Sequence, residues 1–166
     1  MRRFIAILGT LLIAMVIIIS GSAVATWVYV TWIDEDNTSN TDNINGAPDD
    51  NYASLGEDGP PPVLGWVLLD LGSGNEMPFS QEFTVFADSS MEENYSVWVG
   101  ETTEKATMSY VGDGSDLDDE IFTTPSQPFN GSWRYIYIEA TSGLTAFEGG
   151  DYVYGPDIDA VGWDKP

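Results

Sequence analysis

Residues 155–163 read GPDIDAVGW and have the pattern of a strand that follows a tight turn. Gly-Pro is turn chemistry, and the side chains of a strand alternate between its two faces. The alternation predicts that Asp157 and Asp159 share one face and that Ile158 and Ala160 share the other. We therefore expect a strand with one apolar and one acidic face that closes a β-sandwich.

The chain before this strand consists of short apolar runs separated by turn residues, as at 72–75 (GSGN) and 112–114 (GDG). Beyond the N-terminal apolar segment, no window of helical length keeps the i, i+3, i+4 spacing of an amphipathic helix. The pattern predicts an all-β sandwich of short strands. The candidate strands are Trp66–Leu71, Phe83–Ala87, Tyr95–Val99, Thr107–Val111, Arg134–Ala140 and Asp157–Val161.

The N-terminal segment has the composition of an export signal. Arg2 and Arg3 precede residues 4–25, a largely apolar run of 22 residues. This run is longer than the ~7–15 apolar residues of a usual signal peptide and reaches the ~20 residues that a helix needs to span a bilayer. Ala23-Val24-Ala25 is nevertheless a cleavage motif of the A-x-A type. Residues 1–33 are therefore predicted to be either a single-span membrane anchor or a signal peptide, and both place the following domain outside the cell.

Two features mark the border of this segment. Trp27, Tyr29 and Trp32 stand where the outer aromatic belt of a membrane span would lie. Residues 34–45, DEDNTSNTDNIN, hold one apolar residue and predict a flexible polar stalk. We therefore place the folded domain at residues 46–166.

Charge and composition exclude several classes of function. The chain holds 27 acidic and 5 basic residues, no cysteine and no histidine. Disulfides, thiolate metal sites and cysteine nucleophiles are thereby excluded, as are the commonest general base and zinc ligand. Lys105, Arg134 and Lys165 are the only cations beyond residue 25, too few for nucleic-acid binding. Six tryptophans and 13% aromatic residues indicate a packed core rather than disorder.

An ordered set of short motifs resembles a known family. The motifs are residues 46–56 (GAPDDNYASLG), Val67–Gly72, Phe83–Phe86, Tyr95–Val99, Arg134–Ile138 and Asp157–Val161. Their order is similar to that of exported galactose-binding-like jelly rolls, relatives of the discoidin and coagulation-factor type C domains. The resemblance covers roughly residues 46–163 and implies a sandwich of about eight strands. In many relatives it also implies a structural calcium between the opening loop and the final strand, but it implies no particular ligand.

Acidic residues of the opening loop and the last strand are the candidate calcium ligands. Calcium takes six to eight oxygen ligands from carboxylates, carbonyls and water. Asp49 and Asp50, facing Asp157 or Asp159, have this chemistry, and the resemblance brings the two segments together. The alternative is that these are solvated acids of an acidic surface. The acidic cluster at 113–120, DGSDLDDE, lacks the ligand spacing of an EF-hand and is expected to be a solvated loop.

Aromatic residues of the strands offer a second kind of site. Flat rings stack against sugar faces, so Trp98, Tyr135 and Tyr137 are candidate carbohydrate-binding residues. On the strand that carries the two tyrosines, Ile136 and Ile138 are expected in the core and the tyrosines on the opposite, half-exposed face. The alternative is that the rings pack under loops.

An enzymatic interpretation has to rely on carboxylates. Asp157 and Asp159, at i and i+2 on one strand, would lie ~7 Å apart, within the range of glycosidase pairs. Nothing else in the sequence supports a glycoside hydrolase, since there is no histidine and no nucleophile beside a base. We therefore expect that the protein is not an enzyme.

Three sequons support a place at the cell surface. Asn37, Asn94 and Asn130 each begin an N-x-S/T motif and are candidate glycosylation sites. The sequence as a whole predicts a non-catalytic binding or adhesion module on the extracellular side of the cell membrane, anchored or secreted. Its expected partner is a surface glycan or an envelope protein. The alternative is a structural envelope protein that packs laterally against copies of itself or a surface layer.

The acidity predicts that stability depends on salt. Beyond residue 25 the chain holds 27 acids and 3 bases, which leaves 24 net negative charges. The Debye length falls from about 10 Å at 0.1 M salt to about 3 Å at 1 M, so molar salt screens repulsion that dilute buffer leaves. We expect the free energy of unfolding to rise steeply over this range of KCl, measured by denaturant titration in the presence of a chelator. A flat response up to about 2 M KCl would instead favour a protein with several calcium sites.

Overall fold

The computed structural model describes residues 26–57, 63–87, 89, 92–126, 131–142, 146–148, 151–153 and 155–166. Within these residues the chain forms two five-stranded antiparallel sheets, two small hairpin-like pairs of strands and two 3₁₀ turns, Thr41–Ile44 and Lys105–Thr107. The strands are β1 Thr26–Tyr29, β2 Thr31–Asp36, β3 Ala53–Ser54, β4 Gly56–Glu57, β5 Val63–Leu64, β6 Trp66–Asp70, β7 Glu82–Ala87, β8 Asn94–Gly100, β9 Ser109–Ser115, β10 Glu120–Thr123, β11 Tyr135–Ala140, β12 Ala146–Glu148, β13 Asp151–Val153 and β14 Asp157–Lys165.

The two large sheets divide the longer strands between them. One sheet, here called the β14 sheet, has the order β1-β14-β7-β10, with β3 also paired to β14. The other, here called the β11 sheet, has the order β2-β6-β11-β8-β9. Consecutive strands such as β6, β7 and β8 therefore alternate between the sheets, which is the connectivity of a sandwich and not of a meander.

One hydrophobic core lies between the two sheets. Strand alternation supplies it: in β7, Phe83 and Val85 are buried while Glu82 is exposed. In β11, Ile136 and Ile138 are fully buried, as predicted. Buried residues of both sheets form one cluster, which confirms the predicted all-β sandwich. The largest of its fully buried members are Tyr95, Phe83, Ile44, Leu55, Leu69, Met77, Ile136, Ile138 and Ile158.

The chain passes from one sheet to the other at Val30. β1 pairs with β14 and β2 pairs with β6, while the buried Val30 between them donates its N–H to the carbonyl of Val161 at 3.0 Å. Trp27 and Tyr29 are therefore on the β14 sheet, and Trp32 is on the β11 sheet. The sequence pattern had placed these three rings at the end of the apolar N-terminal segment, as an aromatic belt. In the structure they belong to strands of the sandwich.

The predicted stalk is also part of the fold. Residues 34–36 lie in β2, an edge strand of the β11 sheet, and residues 41–44 form a 3₁₀ turn. Ile44 is 0% exposed and lies in the core. A flexible stalk at 34–45 is therefore wrong, because an edge strand tolerates polar side chains on its solvent side and the one apolar residue of this stretch, Ile44, attaches it to the core. The described domain begins at Thr26.

The predicted apolar helix, with residues 4–25, lies outside the described residues. In the part of the chain that the structure describes, no helix has the length and apolar character needed to cross a membrane. The anchor or signal peptide therefore stays a prediction.

All six predicted strands are present with shifted ends. The largest shift is in β9, which begins at Ser109 and continues to Ser115. The solvated loop predicted at 113–120 is therefore wrong in part, because its first residues extend β9, Asp116 is fully buried and Glu120 begins β10. Period-two alternation weakens in this acidic, glycine-containing stretch, which explains why the sequence did not reveal the strands there.

The last strand, β14, contains a bulge that changes which faces its side chains occupy. Its register with β7 shifts between Ile158 and Ala160, which leaves Asp159 as the extra residue. Ile158 and Val161, three positions apart, consequently both lie in the core. The prediction that Asp157 and Asp159 share one acidic face assumed that side chains alternate without interruption along β14. The bulge interrupts this alternation at Asp159.

Candidate functional site

Four aromatic side chains form a continuous row across the outer face of the β11 sheet. Trp66 of β6 stacks on Tyr137 of β11 with ring centroids 5.2 Å apart. Tyr137 meets Trp98 of β8 edge-to-face at 5.7 Å, and Trp98 meets Tyr110 of β9 edge-to-face at 5.6 Å. We call these four side chains the aromatic row. Because adjacent strands lie ~4.8 Å apart, the row extends over roughly 14 Å, which is the scale of an oligosaccharide rather than of one sugar ring.

Strand register brings these rings together. Tyr137 is directly opposite Trp98 in the β11–β8 pair. In the β8–β9 pair, a register shift places Tyr110 opposite Trp98, while Val111 packs against the core. The shift turns Tyr110 outward, where it is 52% exposed. Tyr110 is therefore the ring of the row that a ligand reaches most easily.

A lysine and a glutamate lie over the centre of the row. The Lys105 ammonium is 4.1 Å from the ring centroid of Trp98 and 4.7 Å from that of Tyr137, both within cation–π range. The same ammonium forms an ion pair with the carboxylate of Glu139 on β11. Burial, assisted by Glu139, raises the pKa of Tyr137 above its ordinary value, so its hydroxyl remains protonated. The Lys105 ammonium, a strong hydrogen-bond donor, and the Glu139 carboxylate, a strong acceptor, thus lie side by side at the centre of the row.

Asp113 fixes the exposed end of the row. Its carboxylate bonds to the hydroxyls of Ser96 and Tyr110, and these two bonds hold the pKa of Asp113 below its usual range. The bond to Asp113 also raises the pKa of Tyr110. Tyr110 is consequently oriented through its hydroxyl while its ring stays accessible.

Tyr135 lies further along the same face of β11, beneath an arginine. The guanidinium carbon of Arg134 is 5.1 Å from the Tyr135 ring centroid. Arg134 also makes two parallel hydrogen bonds, both of 2.8 Å, to Asp70, and these hold the pKa of Asp70 below its usual range. Tyr135 is therefore placed beside a neutralised ion pair, not within the aromatic row.

Of the three predicted sugar-binding residues, Trp98 and Tyr137 lie in the row and Tyr135 lies on the same face outside it. The half-exposed position expected for both tyrosines is wrong for Tyr137, which is only 7% exposed because neighbouring rings and the Lys105 ammonium cover it. The sequence patterns did not identify Tyr110 and Lys105 as members of this site. Alternation within the predicted strand Thr107–Val111 would have given Tyr110 a face, but its place opposite Trp98 depends on the register shift. The position of Lys105 depends on a 3₁₀ turn for which the sequence gives no clear signal.

The opening loop and the last strand do meet, and Asp159 joins them. The Asp159 side chain is 4% exposed. Its two carboxylate oxygens accept the N–H of Asp49 at 3.1 Å each, and Oδ2 also accepts the N–H of Asp50 at 3.1 Å. The bulge in β14 directs Asp159 toward this loop. The carboxylate therefore acts as an anchor for two backbone N–H groups.

The four predicted calcium ligands are not arranged as one ligand set. Both oxygens of Asp159 face N–H donors, which would repel a cation at the same place. Asp49 and Asp50 are exposed, and one Asp49 oxygen accepts the N–H of Asn51 at 3.1 Å. Among the described residues, no group of three or more acidic side chains is placed to hold a metal ion. The residues therefore do not fit the implied calcium, and we derive no role for calcium from them.

Asp157 faces a different group of buried acids at the start of β14. Asp116 accepts the N–H of Glu93 at 2.9 Å and that of Asp157 at 3.1 Å, while Glu93 accepts the N–H of Gly155 at 3.1 Å. Burial raises the pKa of Asp116. Burial, with the charges of Asp116 and Glu93, raises the pKa of Asp157 to about 6. Backbone donors thus offset only part of the cost of burying these carboxylates.

A glycosidase would need Asp157 and Asp159 to act as a pair, but the two side chains contact different parts of the fold. Asp157 bonds to the side chain of Ser54, whereas Asp159 is occupied by the opening loop. The oxygens of Asp159 already accept three N–H bonds from the opening loop, so they are not free to contact a substrate. We derive no catalytic role for either residue.

The three sequons differ in their surroundings. Asn37 follows β2 in a left-handed turn with φ of 51°. Asn94 is the first residue of β8, and its side-chain N–H donates to the hydroxyl of Ser142 at 3.0 Å. Asn130 lies outside the described residues. A glycan on Asn94 would replace this bond, so Asn37 is the better-placed acceptor of the two that are described.

The anchor at Asp159 predicts a specific loss of stability. In Asp159→Asn, an NH₂ group replaces one acceptor oxygen and faces the N–H donors of Asp49 and Asp50. We expect the free energy of unfolding to fall by about 1–3 kcal/mol, the usual cost of leaving buried groups unsatisfied. Asp164→Asn is the matched control, because Asp164 is an exposed residue of the same strand. Equal losses in the two variants, measured by denaturant titration in molar KCl, would contradict the anchor.

The raised pKa of Asp157 predicts a pH dependence of opposite sign to that of a salt-bridged acid. Between its ordinary value of 3.8 and about 6, the folded protein binds more protons than the unfolded chain, so stability falls as pH rises through this window. Asp157→Asn removes the ionisation cost while keeping a similar shape. We expect it to raise the free energy of unfolding at pH 7, by at most about 3 kcal/mol, and to have little effect near pH 4. A loss of stability at pH 7, with Asp164→Asn again as control, would show that the Asp157 carboxylate is a net stabilising group.

No family model matches this chain, and no curated protein is significantly similar to it in sequence. The geometry of the site and the chemistry of its side chains are therefore the basis for a functional proposal.

Proposed function

We propose that the protein is an extracellular, non-catalytic module that binds carbohydrate on the outer face of the β11 sheet. The observation that carries this proposal is the aromatic row with Lys105 and Glu139 over its centre. Sugars combine apolar C–H faces, which stack on aromatic rings, with hydroxyl groups that donate and accept hydrogen bonds. The exposed ring of Tyr110 offers the first kind of contact, and the partly exposed Lys105–Glu139 pair offers the second.

The position of Lys105 limits how a sugar can bind. Its ammonium covers parts of Trp98 and Tyr137, and displacing it would leave the Glu139 carboxylate without its cation. A ligand that keeps this ion pair in place is therefore favoured. Such a ligand stacks on the exposed ring of Tyr110 and directs its hydroxyls toward the ammonium and the carboxylate.

Charge favours a neutral saccharide over an acidic one. The formal net charge of the chain is −22 at pH 7, and both cations of this face, Lys105 and Arg134, are already paired with carboxylates. An anionic sugar would meet repulsion without a free cation to compensate for it on this face. Neutral hexoses and their oligomers are the ligand class that the surface fits.

We infer that the sandwich is a jelly roll of the galactose-binding-like type that its motifs resemble. With β2 and the strands of two or three residues set aside, eight strands remain: β1, β6, β7, β8, β9, β10, β11 and β14. Numbered one to eight in this order, they have the orders 1-8-3-6 and 2-7-4-5 in the two sheets. This interleaving fits two Greek keys wound into a double sheet. The fold alone implies no ligand, so the carbohydrate proposal does not depend on it.

The proposed location is the extracellular side of the membrane. Residues 4–25 are long enough to span a bilayer, and Arg2 and Arg3 mark the cytoplasmic end of such a span. Cleavage after Ala25 would instead secrete the domain. Because β1 begins at Thr26, both outcomes leave the described sandwich complete.

Glycan binding tests the proposal directly. Full-length protein in detergent and about 2 M KCl is applied to an array of neutral and acidic glycans, since molar salt screens its self-repulsion. Tyr110→Ala removes the most accessible ring of the row. We expect it to weaken binding to neutral glycans at least tenfold, roughly 1.4 kcal/mol, and to leave the unfolding temperature nearly unchanged because the ring is exposed.

Trp27→Ala is the matched control, because it removes an exposed ring from the outer face of the other sheet. It should bind glycans as the unmodified protein does. Equal weakening by the two substitutions would mean that the aromatic row is not the binding surface. Absence of binding to every neutral glycan would remove the carbohydrate proposal.

A further inference from the structure

The outer face of the β14 sheet carries a second group of aromatic rings. Trp27 and Tyr29 of β1 stack with centroids 5.9 Å apart, and Phe86 of β7 lies 5.7 Å from Trp27 and 6.4 Å from Tyr29. We call these three side chains the Trp27 cluster. Trp27 is 44% exposed, which is unusual for a tryptophan that already has two ring partners. The cluster is an open apolar surface on a very acidic protein.

Small residues of β14 let the cluster lie flat across the sheet. Gly162 is opposite Tyr29, and a Cβ atom at position 162 would come within 2.7 Å of the tyrosine ring. Ala160 is opposite Phe86. The rings therefore cover the backbone of the last strand instead of standing between larger side chains, and they form a low, broad surface.

Acidic residues border the cluster on both sides: Asp164 is directly opposite Trp27, and Phe86 lines a cavity together with Asp50, Asp118 and Asp119. Alternation and register place Thr84 and Ile121 on the same outer face, and Ile121 is 66% exposed. Glu82 and Asp164 are the acids that the same pattern places outward on β7 and β14. An apolar patch bordered by acids can enter an interface while the carboxylates remain in water.

The position of the cluster in the chain indicates what covers it. The apolar run of residues 4–25 ends directly before β1, which begins at Thr26. Two residues of extended chain span at most about 7 Å, so the backbone of Trp27 lies within that distance of the end of the run. Since no stalk separates them, a bilayer that holds residues 4–25 must lie next to the first strand. Tryptophan and tyrosine are the residues that favour the membrane–water interface.

We propose that the Trp27 cluster inserts into the headgroup region of the membrane and that the domain rests on the lipid surface through the outer face of the β14 sheet. The occupant of this face is thus the bilayer that anchors the chain. The proposal depends on retention of residues 4–25 and is independent of the carbohydrate site, which lies on the other sheet.

Spin labels test this arrangement because the chain has no native cysteine. A single cysteine replaces Thr84, which neighbours the cluster on the outer face of β7, and a second variant replaces Glu104, an exposed residue of the turn after β8. The full-length protein is reconstituted into phosphatidylcholine–phosphatidylglycerol vesicles. Collisions with oxygen, which concentrates in lipid, are compared with collisions with a water-soluble nickel complex.

We expect the oxygen-to-nickel ratio at position 84 to exceed that at position 104 severalfold. Replacing both Trp27 and Phe86 by Ser should return the ratio at 84 to the value at 104, while glycan binding by the vesicles stays unchanged. Equal ratios at the two positions in the unmodified background would overturn the proposal. Spin–spin broadening at 84 would overturn it too, because a second copy would then cover the face, and so would failure of the chain to float with the vesicles.

Discussion

Backbone N–H groups that donate to buried carboxylates hold the last strand against the rest of the sandwich. Asp159 receives the N–H groups of the opening loop, and Asp116 receives that of Asp157 at the start of β14. Cations contribute less to this role, since Lys105 and Arg134 are paired on the β11 sheet and only Lys165, at the end of β14, bonds this strand to Gly74 and Asn75. Such bonds act over short distances in partly buried places, so salt screens them far less than it screens the surface charges. The fold therefore depends on contacts that remain effective in dilute buffer and in molar salt alike.

Sequence patterns predicted the strands wherever period-two alternation is uninterrupted. Phe83–Ala87 and Arg134–Ala140 show it clearly, and both are strands of the sandwich. The pattern failed at residues 26–33, because two half-exposed strands have nearly the same composition as the end of an apolar membrane segment. It failed again at Ile44, since one buried side chain in a polar stretch does not change the composition that predicts a stalk.

The candidate site was predictable to the extent that it depends on alternation within single strands. Trp98 and Tyr137 could be identified because each lies on the outward-facing side of a recognisable strand. Tyr110 and Asp159 are placed by register irregularities, each of which inserts one residue relative to a neighbouring strand. Such an insertion follows from contacts between strands that are far apart in sequence, so the residues of one strand do not encode it.

The two proposed surfaces occupy opposite faces of the sandwich, and this gives the domain an orientation. The Trp27 cluster lies on the outer face of the β14 sheet and the aromatic row on the outer face of the β11 sheet, with one core between them. Packed sheets are about 10 Å apart, so the row would stand only a short distance above a membrane on which the cluster rests. It would nevertheless face away from the lipid, toward external glycans. Because the apolar run leads into β1 without a flexible linker, the domain would have little freedom to rotate. Docking of the β14 sheet on the membrane would then be sufficient to keep the aromatic row turned outward.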